Sequence, residues 1–531
     1  MTTGYSTAVT EDTTELSDGD LAAAPEEGVW RRQLIGLVLG IIAAAVVYFI
    51  FPSGAADVVR ESSGADPEIE YSAQTMRVVA AVAVWMAVWW MTEAIPLAAT
   101  ALIPLAVFPL ANVAEFKAVS APYASSTIFL FMGGFLMALG IQRWNLHRRL
   151  ALWVVMLIGT SPRRIILGFM VATGFLSMWV SNTATAVVML PIGVSVLTLT
   201  ADHVGGMGNQ KRFATALMLA IAYAASIGSL GTLIGTPPNA LLAGYMKESH
   251  DIEIGFGKWM LVGVPVAVIF TLIAWVVLIN VFKPEVDEIP GGKELIREEL
   301  EKLGGWTTGQ ILSGIIFVAA ALCWVFVPLG IDYYGWEIGY DDAAVGIIAG
   351  LLMFTIPAKS NGTRILDWET AKDIPWDVLL LFGGGLSLSA MFSQSGLSLW
   401  IGEASKGLAG LPTVLLIAAV GALILLLTEL TSNTATAATF LPIMGGVAVG
   451  IGLTAAGDIN VLLLTIPVAL SATCAFMLPV ATPPNAIAYS SGHVTMGEMI
   501  KGGVWLNVIG LVLATLATYA IAVPVFGLTL P

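Results

Sequence analysis

Two short polar strings each occur twice in this chain, in the same order and at nearly the same spacing. Ser181-Asn182-Thr183-Ala184-Thr185 returns as Ser432-Asn433-Thr434-Ala435-Thr436, an offset of 251 from 181 to 432. Thr236-Pro237-Pro238-Asn239-Ala240 returns as Thr482-Pro483-Pro484-Asn485-Ala486, an offset of 246 from 236 to 482. A chain with two such cassettes is built from two related halves. The surroundings are very apolar: 57% of residues are hydrophobic and 11% charged, with a mean hydropathy of +0.86. Soluble domains carry roughly 25% charged residues, so this is a polytopic membrane protein. At membrane depth, polar residues and broken helices persist where they line a site.

Apolar stretches long enough for a hydrocarbon core of about 30 Å run from residue 34 to residue 527. The first, 34–51, follows Trp30-Arg31-Arg32, which favours a cytoplasmic N-terminus by the positive-inside rule. Further spans read at 76–92, 96–112 and 124–143, the last ending in the basic run Arg143 to Arg149. Residues 163–200 could cross twice, but Ser181-Asn182-Thr183 interrupts them and basic residues flank both ends, so they read as a re-entrant hairpin. Residues 213–249 read as a span broken at Thr236-Pro237-Pro238, because two prolines remove two donors and restrict the residue before them. Residues 256–282 cross back.

A charged linker at 283–308 follows, with apolar residues at helical spacing between Glu294 and Leu303. The second half repeats the first: spans at 309–328, 342–357 and 376–398, a hairpin at 412–452, a broken span at 460–490 and a last span at 503–527. The expected fold is therefore all-α, with about eleven transmembrane helices and two re-entrant hairpins in an inverted-topology repeat. Its parts are an acidic, disordered cytoplasmic tail (1–29), a first helix with its outer loop (30–75), one repeat (76–282), the linker, and a second repeat (309–531) ending outside the cell. Inverted repeats with interrupted helices at the midplane are the architecture of secondary transporters.

The four motif-bearing segments, residues 165–201, 213–246, 412–457 and 459–492, contain no Lys, Arg or His, and Glu429 is their one carboxylate. Hydrolytic chemistry needs a nucleophile with a base, so an enzyme is not expected. A net charge of −14 argues against nucleic acid as a partner. Amides, hydroxyls and freed backbone groups remain. A helix broken at Ser-Asn-Thr offers carbonyls at one end and N–H groups at the other, suited to a cation and an anion. Ser177 and Thr428 each precede a cassette serine by four residues and stack one turn below the break. A single Ser-Asn-Thr is ordinary interhelical hydrogen bonding, and duplicating both cassettes in order is what makes them a site. Glu93 reads as an interfacial anchor, and Glu429 as either a structural hydrogen-bond partner or a tuner of a cation site. Trp85, Trp89 and Trp90 read as interface belt or subunit packing, and Gly133-Gly134 and Gly383-Gly384-Gly385 as close helix packing. Cys323 and Cys474 read as buried small residues rather than a disulfide or metal pair.

The cassettes SNTAT (twice), GTPPNA and ATPPNA, with WMTEAIP at 90–96 and GGFLMALGIQRWNLHRR at 133–149, resemble the divalent anion sodium symporters, the INDY-type carboxylate transporters, over roughly residues 76–528. The resemblance implies a substrate site of Ser181, Asn182, Thr183, Ser432, Asn433, Thr434, Thr482 and Pro483. It implies a first sodium at Ser177, Asn182 and Gly235 and a second at Thr428, Asn433 and Ala481, with glycine and alanine acting through their carbonyls. Thr236 and Pro237 would serve the sodium loop more than the substrate. Two intact Ser-Asn-Thr copies are similar to members that carry C4-dicarboxylates. The expected activity is sodium-coupled symport of succinate, malate or fumarate by an elevator-type homodimer in the plasma membrane. Sodium-independent exchange, sodium-coupled sulfate or citrate transport, and an anion channel are the alternatives.

Overall fold

The computed structural model describes residues 27–62, 69–159, 161–285, 292–335 and 339–530. Most of the expected acidic tail lies outside these residues, as do Asp66 and Glu68 of the expected outer loop. Among the described residues the chain is helical, with one isolated β-bridge between Pro357 and Arg364. Nine of these helices are long and apolar enough to cross a membrane. That count differs from the eleven expected spans because helix breaks shorten some segments. Leu97–Leu110 and Asp342–Thr355 fall among the shorter apolar helices, whereas Asn182–Ala201, expected as a hairpin arm, is long enough by itself.

Helix α1 (Glu27–Ile50) packs along α2 (Ala73–Thr92). The contact is close because Gly36 faces Thr92 and Gly40 faces Trp89, whose indole N–H donates to Leu37 O at 3.3 Å. Trp90 is fully buried, and Trp85 stacks edge-on to Trp89 at 5.0 Å. Trp89 and Trp85 thus pack within the chain against α1 at Gly40, while the Trp90 indole donates to Leu97 O at 3.1 Å. After α3 (Leu97–Leu110) comes α4 (Ser126–Arg143). A Cβ on its Gly133 would fall 2.4 Å from the backbone of Gly346, so that glycine permits direct helix contact. Gly384 meets Ala101 in the same way.

Next is a helix that the sequence reading did not separate, α5 (Leu146–Ile158). Its first turn carries part of the basic run that follows the 124–143 span, and its apolar remainder is too short to span. The first hairpin is α6 (Pro162–Ser177) and α7 (Asn182–Val204), and the first broken helix is α8 (Lys211–Ser229) and α9 (Pro237–His250). Helix α10 (Phe256–Val281) leads to the linker helix α11 (Gly292–Lys302). The linker is clamped to α5: Arg148 pairs with Glu299 at 2.8 Å, and Arg149 donates to the carbonyls of Leu303, Gly304 and Gly305 at 3.2, 2.7 and 3.2 Å. Arg149 also lies over the Trp306 ring. Lys302 and Arg148 hold the Glu299 carboxyl below the usual carboxylate range.

The second half comprises α12 (Thr308–Tyr334), α13 (Asp342–Thr355), α14 (Trp376–Ser395) and the short α15 (Leu397–Ala404). Its hairpin is α16 (Thr413–Thr428) and α17 (Asn433–Gly450), its broken helix is α18 (Leu462–Ala472) and α19 (Pro483–Ser490), and α20 (Met496–Leu516) follows. Helix α15 meets α17 backbone to backbone, since a Cβ on Gly450 would fall 1.9 Å from Gly402. The two broken helices lie side by side and antiparallel. Helix α8 packs on α19 and α9 on α18, and Thr215 at the start of the first donates to the His493 carbonyl just past the end of the second at 3.0 Å. The outer faces of α1 and α12 are apolar and exposed, as surfaces that meet lipid are.

Candidate functional site

Each half stops its helices at matching points. Helix α6 ends at Ser177 and α16 at Thr428, and five residues later α7 and α17 begin at Asn182 and Asn433. Helix α8 ends at Ser229 and α18 at Ala472, and after the unwound residues 230–236 and 473–482, α9 and α19 begin on paired prolines. Proline suits a helix start because the first N–H groups have no intrahelical partner. The segments converge around a cavity of about 810 Å³.

All eight sequence-predicted substrate residues line that cavity: Ser181, Asn182 and Thr183 from one tip, Ser432, Asn433 and Thr434 from the other, and Thr482 with Pro483. Gly235, Thr236, Pro237 and Ala481 line it too. Apolar residues of α4, Phe131, Phe135 and Leu139, also line it. Toward one end it reaches Gln142, Asp373, Asp377 and the ion pair between Arg32 and Glu93 at 2.8 Å. Glu93, expected as an interfacial anchor, thus stands at the cavity mouth.

Ser177 and Thr428 lie behind the cavity wall, fully buried. Ser177 Oγ is 2.5 Å from Asn182 Oδ1 and 2.6 Å from Ala225 O. Thr428 Oγ1 is 2.6 Å from Asn433 Oδ1 and 2.7 Å from Ala472 O. A hydroxyl carries one hydrogen and can donate to one of these acceptors at a time. Each half therefore packs three oxygens together with a single proton among them, an arrangement that suits a small hard cation. In the first half Asn182 Nδ2 also donates to Ser229 Oγ at 3.3 Å, and Ser229 O abuts Gly235. Ser177 and Asn182 thus meet directly, and Gly235 is linked to them through Ser229. Thr428 and Asn433 meet directly, while Ala481 joins Asn433 along the cavity wall.

The carbonyls of Ala225 and Ala472 were missed by sequence reasoning, as was the Ser229 hydroxyl. Glu429 is 4% exposed and does not line the cavity. It accepts from the N–H of Phe476 at 2.7 Å, from that of Met477 at 3.0 Å and from Asn507 Nδ2 at 2.6 Å, and so pins the second unwound segment. The corresponding residue of the first tip is Met178. We predict that Glu429→Gln, which turns an accepting oxygen into a donor facing donors, costs about 2–4 kcal/mol. A purified variant with an unchanged thermal melting point would contradict that role.

Fold and site together define a multi-pass membrane protein whose polar centre is made of helix ends from two hairpins and two broken helices. The chain belongs to the family described as the sodium:sulfate symporter transmembrane region, which matches residues 67–528. It is similar to the sodium-dependent dicarboxylate transporter SdcS of Staphylococcus saprophyticus, 40% identical over 502 residues that cover 93% of this chain and 92% of that protein. SdcS of Staphylococcus aureus strain USA300 is 43% identical over 456 residues, 85% of this chain and 86% of that one. Among solved structures the fold is shared with the YdaH transporter of Alcanivorax borkumensis (TM-score 0.51, 13% identity, 77% of this chain and 88% of that one). It is also shared with MtrF of Neisseria gonorrhoeae (TM-score 0.53, 14% identity, 95% and 96%).

Proposed function

We propose that this protein is a sodium-coupled symporter of C4-dicarboxylates such as succinate, malate and fumarate. The observation that carries the reading is the pair of three-oxygen clusters, Ser177 with Asn182 and Ala225, and Thr428 with Asn433 and Ala472. The similarity to relatives named sodium-dependent dicarboxylate transporters supports it.

In this reading, sodium occupies each cluster, with Gly235 and Ala481 adding backbone carbonyls. The dianion lies between the two tips, held by Ser181, Asn182, Thr183, Ser432, Asn433, Thr434, Thr482 and Pro483. These groups carry no formal charge, so a dianion leaving water must find its compensation elsewhere. Two sodium ions one shell away supply it: a pair of opposite charges about 4 Å apart gains about 4 kcal/mol at an effective dielectric of about 20. The N-terminal ends of α7 and α17 add their own positive potential. Coupling then follows from electrostatics, because the substrate binds well only after the ions. A cavity of amides, hydroxyls and helix ends supports transport rather than catalysis.

The antiparallel broken helices support an inverted repeat, and the basic residues at the start of α1 and the end of α4 support a cytoplasmic N-terminus with the C-terminus outside. The cavity mouth, at Arg32, Gln142 and Asp377, then opens inward. Alternating access requires the hairpins and broken helices to move as a group against the remaining helices, and we place that movement within a homodimer in the plasma membrane. Labelled succinate uptake into proteoliposomes tests the coupling. An inward sodium gradient is expected to drive accumulation, and replacing sodium with choline to lower succinate binding by roughly 1000-fold, the factor that about 4 kcal/mol corresponds to. Equal binding in choline would refute symport. Unlabelled sulfate and citrate in the same assay define the anion: succinate is expected to compete best.

A further inference from the structure

Asn239 and Asn485, the asparagines of the two TPPN strings, are both fully buried. Each turns its amide back onto the unwound segment that precedes it. Asn239 Nδ2 donates to Thr232 O at 2.9 Å and Leu230 O at 3.3 Å, with Ser229 O at 3.5 Å. Asn485 Nδ2 donates to Ala475 O and Leu478 O, both at 3.1 Å. The partners correspond as the asparagines do, Ser229 with Ala475 and Thr232 with Leu478. In neither asparagine does Oδ1 have a hydrogen-bond partner. A buried acceptor left unpaired is costly, and it is tolerated here in both halves, so what each site uses is the amide as a donor.

An unwound turn exposes several carbonyls to one another with no helix to orient them. One amide bonding two of them at once fixes the direction of the array and leaves the remaining oxygens for something else. The array leads directly to the cation clusters. Ser229 takes Asn182 Nδ2 on its hydroxyl, and Asn182 reaches Ser177. In the second half Ala475 stands three residues after Ala472, whose carbonyl meets Thr428, and the N–H groups of Phe476 and Met477 are held from the other edge by Glu429. In the first half, where Met178 stands in place of Glu429, the Trp259 indole donates to Leu230 O at 3.1 Å and the Thr232 hydroxyl to Met178 O.

We propose that Asn239 and Asn485 are positioning residues, one for each cation site, whose amides set the backbone oxygens of the unwound segments in place for the ion without contacting it. This rests on the sodium-coupled reading above.

The test is a sodium titration of succinate uptake in proteoliposomes, with Asn239→Leu and Asn485→Leu beside the parent chain. Leucine keeps the volume and removes the donors. Each variant is expected to raise the half-saturating sodium concentration about tenfold, the factor for losing roughly two hydrogen bonds. Each should also lower the steepness of the sodium curve, while the succinate KM at saturating sodium stays within about threefold of the parent. Asn239→Ser and Asn485→Ser, which keep one donor, are expected to fall between, and they carry the test if the leucine variants do not fold. A folded variant whose sodium curve matches the parent's, or one that changes only the succinate KM, overturns the proposal. A parent chain indifferent to sodium would instead overturn the symport reading, so the two failures are distinguishable.

Discussion

Asn182→Ala and Asn433→Ala are each expected to lower sodium-driven succinate uptake by about 100-fold or more, corresponding to about 2.7 kcal/mol. The effect is large because each asparagine serves two neighbours at once. Asn433 Oδ1 stands 2.6 Å from the Thr428 hydroxyl, and the same side chain lines the cavity between the tips. Alanine removes an oxygen from the three-oxygen cluster and a polar group from the cavity wall together, and leaves the Thr428 hydroxyl with Ala472 O as its remaining partner in the cluster. Raising sodium should recover part of the loss, since the remaining oxygens still converge. The measurement is initial uptake across a range of sodium concentrations in reconstituted vesicles. If both variants transport at parental rates, the cavity between the tips is not the substrate site.

A second large effect is expected from a single methyl group. Gly228 of α8 lies so close to Gly174 of α6 that a Cβ on it would fall 2.2 Å from the Gly174 carbonyl oxygen and 2.3 Å from its Cα. Both are backbone atoms and neither can rotate away, so Gly228→Ala must force the two helices apart. Overpacking costs about 1–3 kcal/mol where side chains absorb it, and this contact belongs at the upper end or beyond. The separation would also pull Ser177, near the end of α6, away from Ala225 of α8, which it now meets at 2.6 Å. The variant should melt at a markedly lower temperature and lose sodium-dependent stabilisation. The partner glycine is the control: a Cβ on Gly174 finds its nearest atoms at 3.5 Å, Ala224 O, and 3.6 Å, Gly228 Cα. Gly174→Ala is therefore expected to fold and transport. If both alanine variants behave alike, the close approach is not what sets the site.

The cassettes were legible because polar and helix-breaking residues in an apolar chain announce themselves by side chain, and all eight predicted substrate positions line one cavity. Ser177 and Thr428 were legible for the same reason, being hydroxyls one turn from a break. Ala225 and Ala472 were not. They contribute backbone carbonyls, which every residue has, and what selects them is the approach of neighbouring helices, which Gly228 allows in the case of Ala225. Glu93 was placed at an interface because its local sequence is a turn, and only the packing of α1 against α2 brings it to the cavity mouth beside Arg32. Helix α5 escaped notice because a basic run followed by a short apolar run also describes a loop entering a hairpin. What makes it a separate helix is Asn145, which takes a left-handed conformation (φ 56°) between α4 and α5.

The lead-in helices to the two hairpins are secured by different forces. Helix α5 is held to the linker by charged contacts, with Arg148 and Lys302 sharing Glu299 and Arg149 gathering the last carbonyls after α11. Helix α15 is held to α17 by glycines touching backbone to backbone. Dissolved ions screen the first kind of contact where it meets water, with a Debye length of about 8 Å at physiological ionic strength, and leave the second untouched. Ionic strength therefore acts on the two duplicated halves unequally: the same salt that supplies the coupling ion also weakens one of these attachments and spares the other.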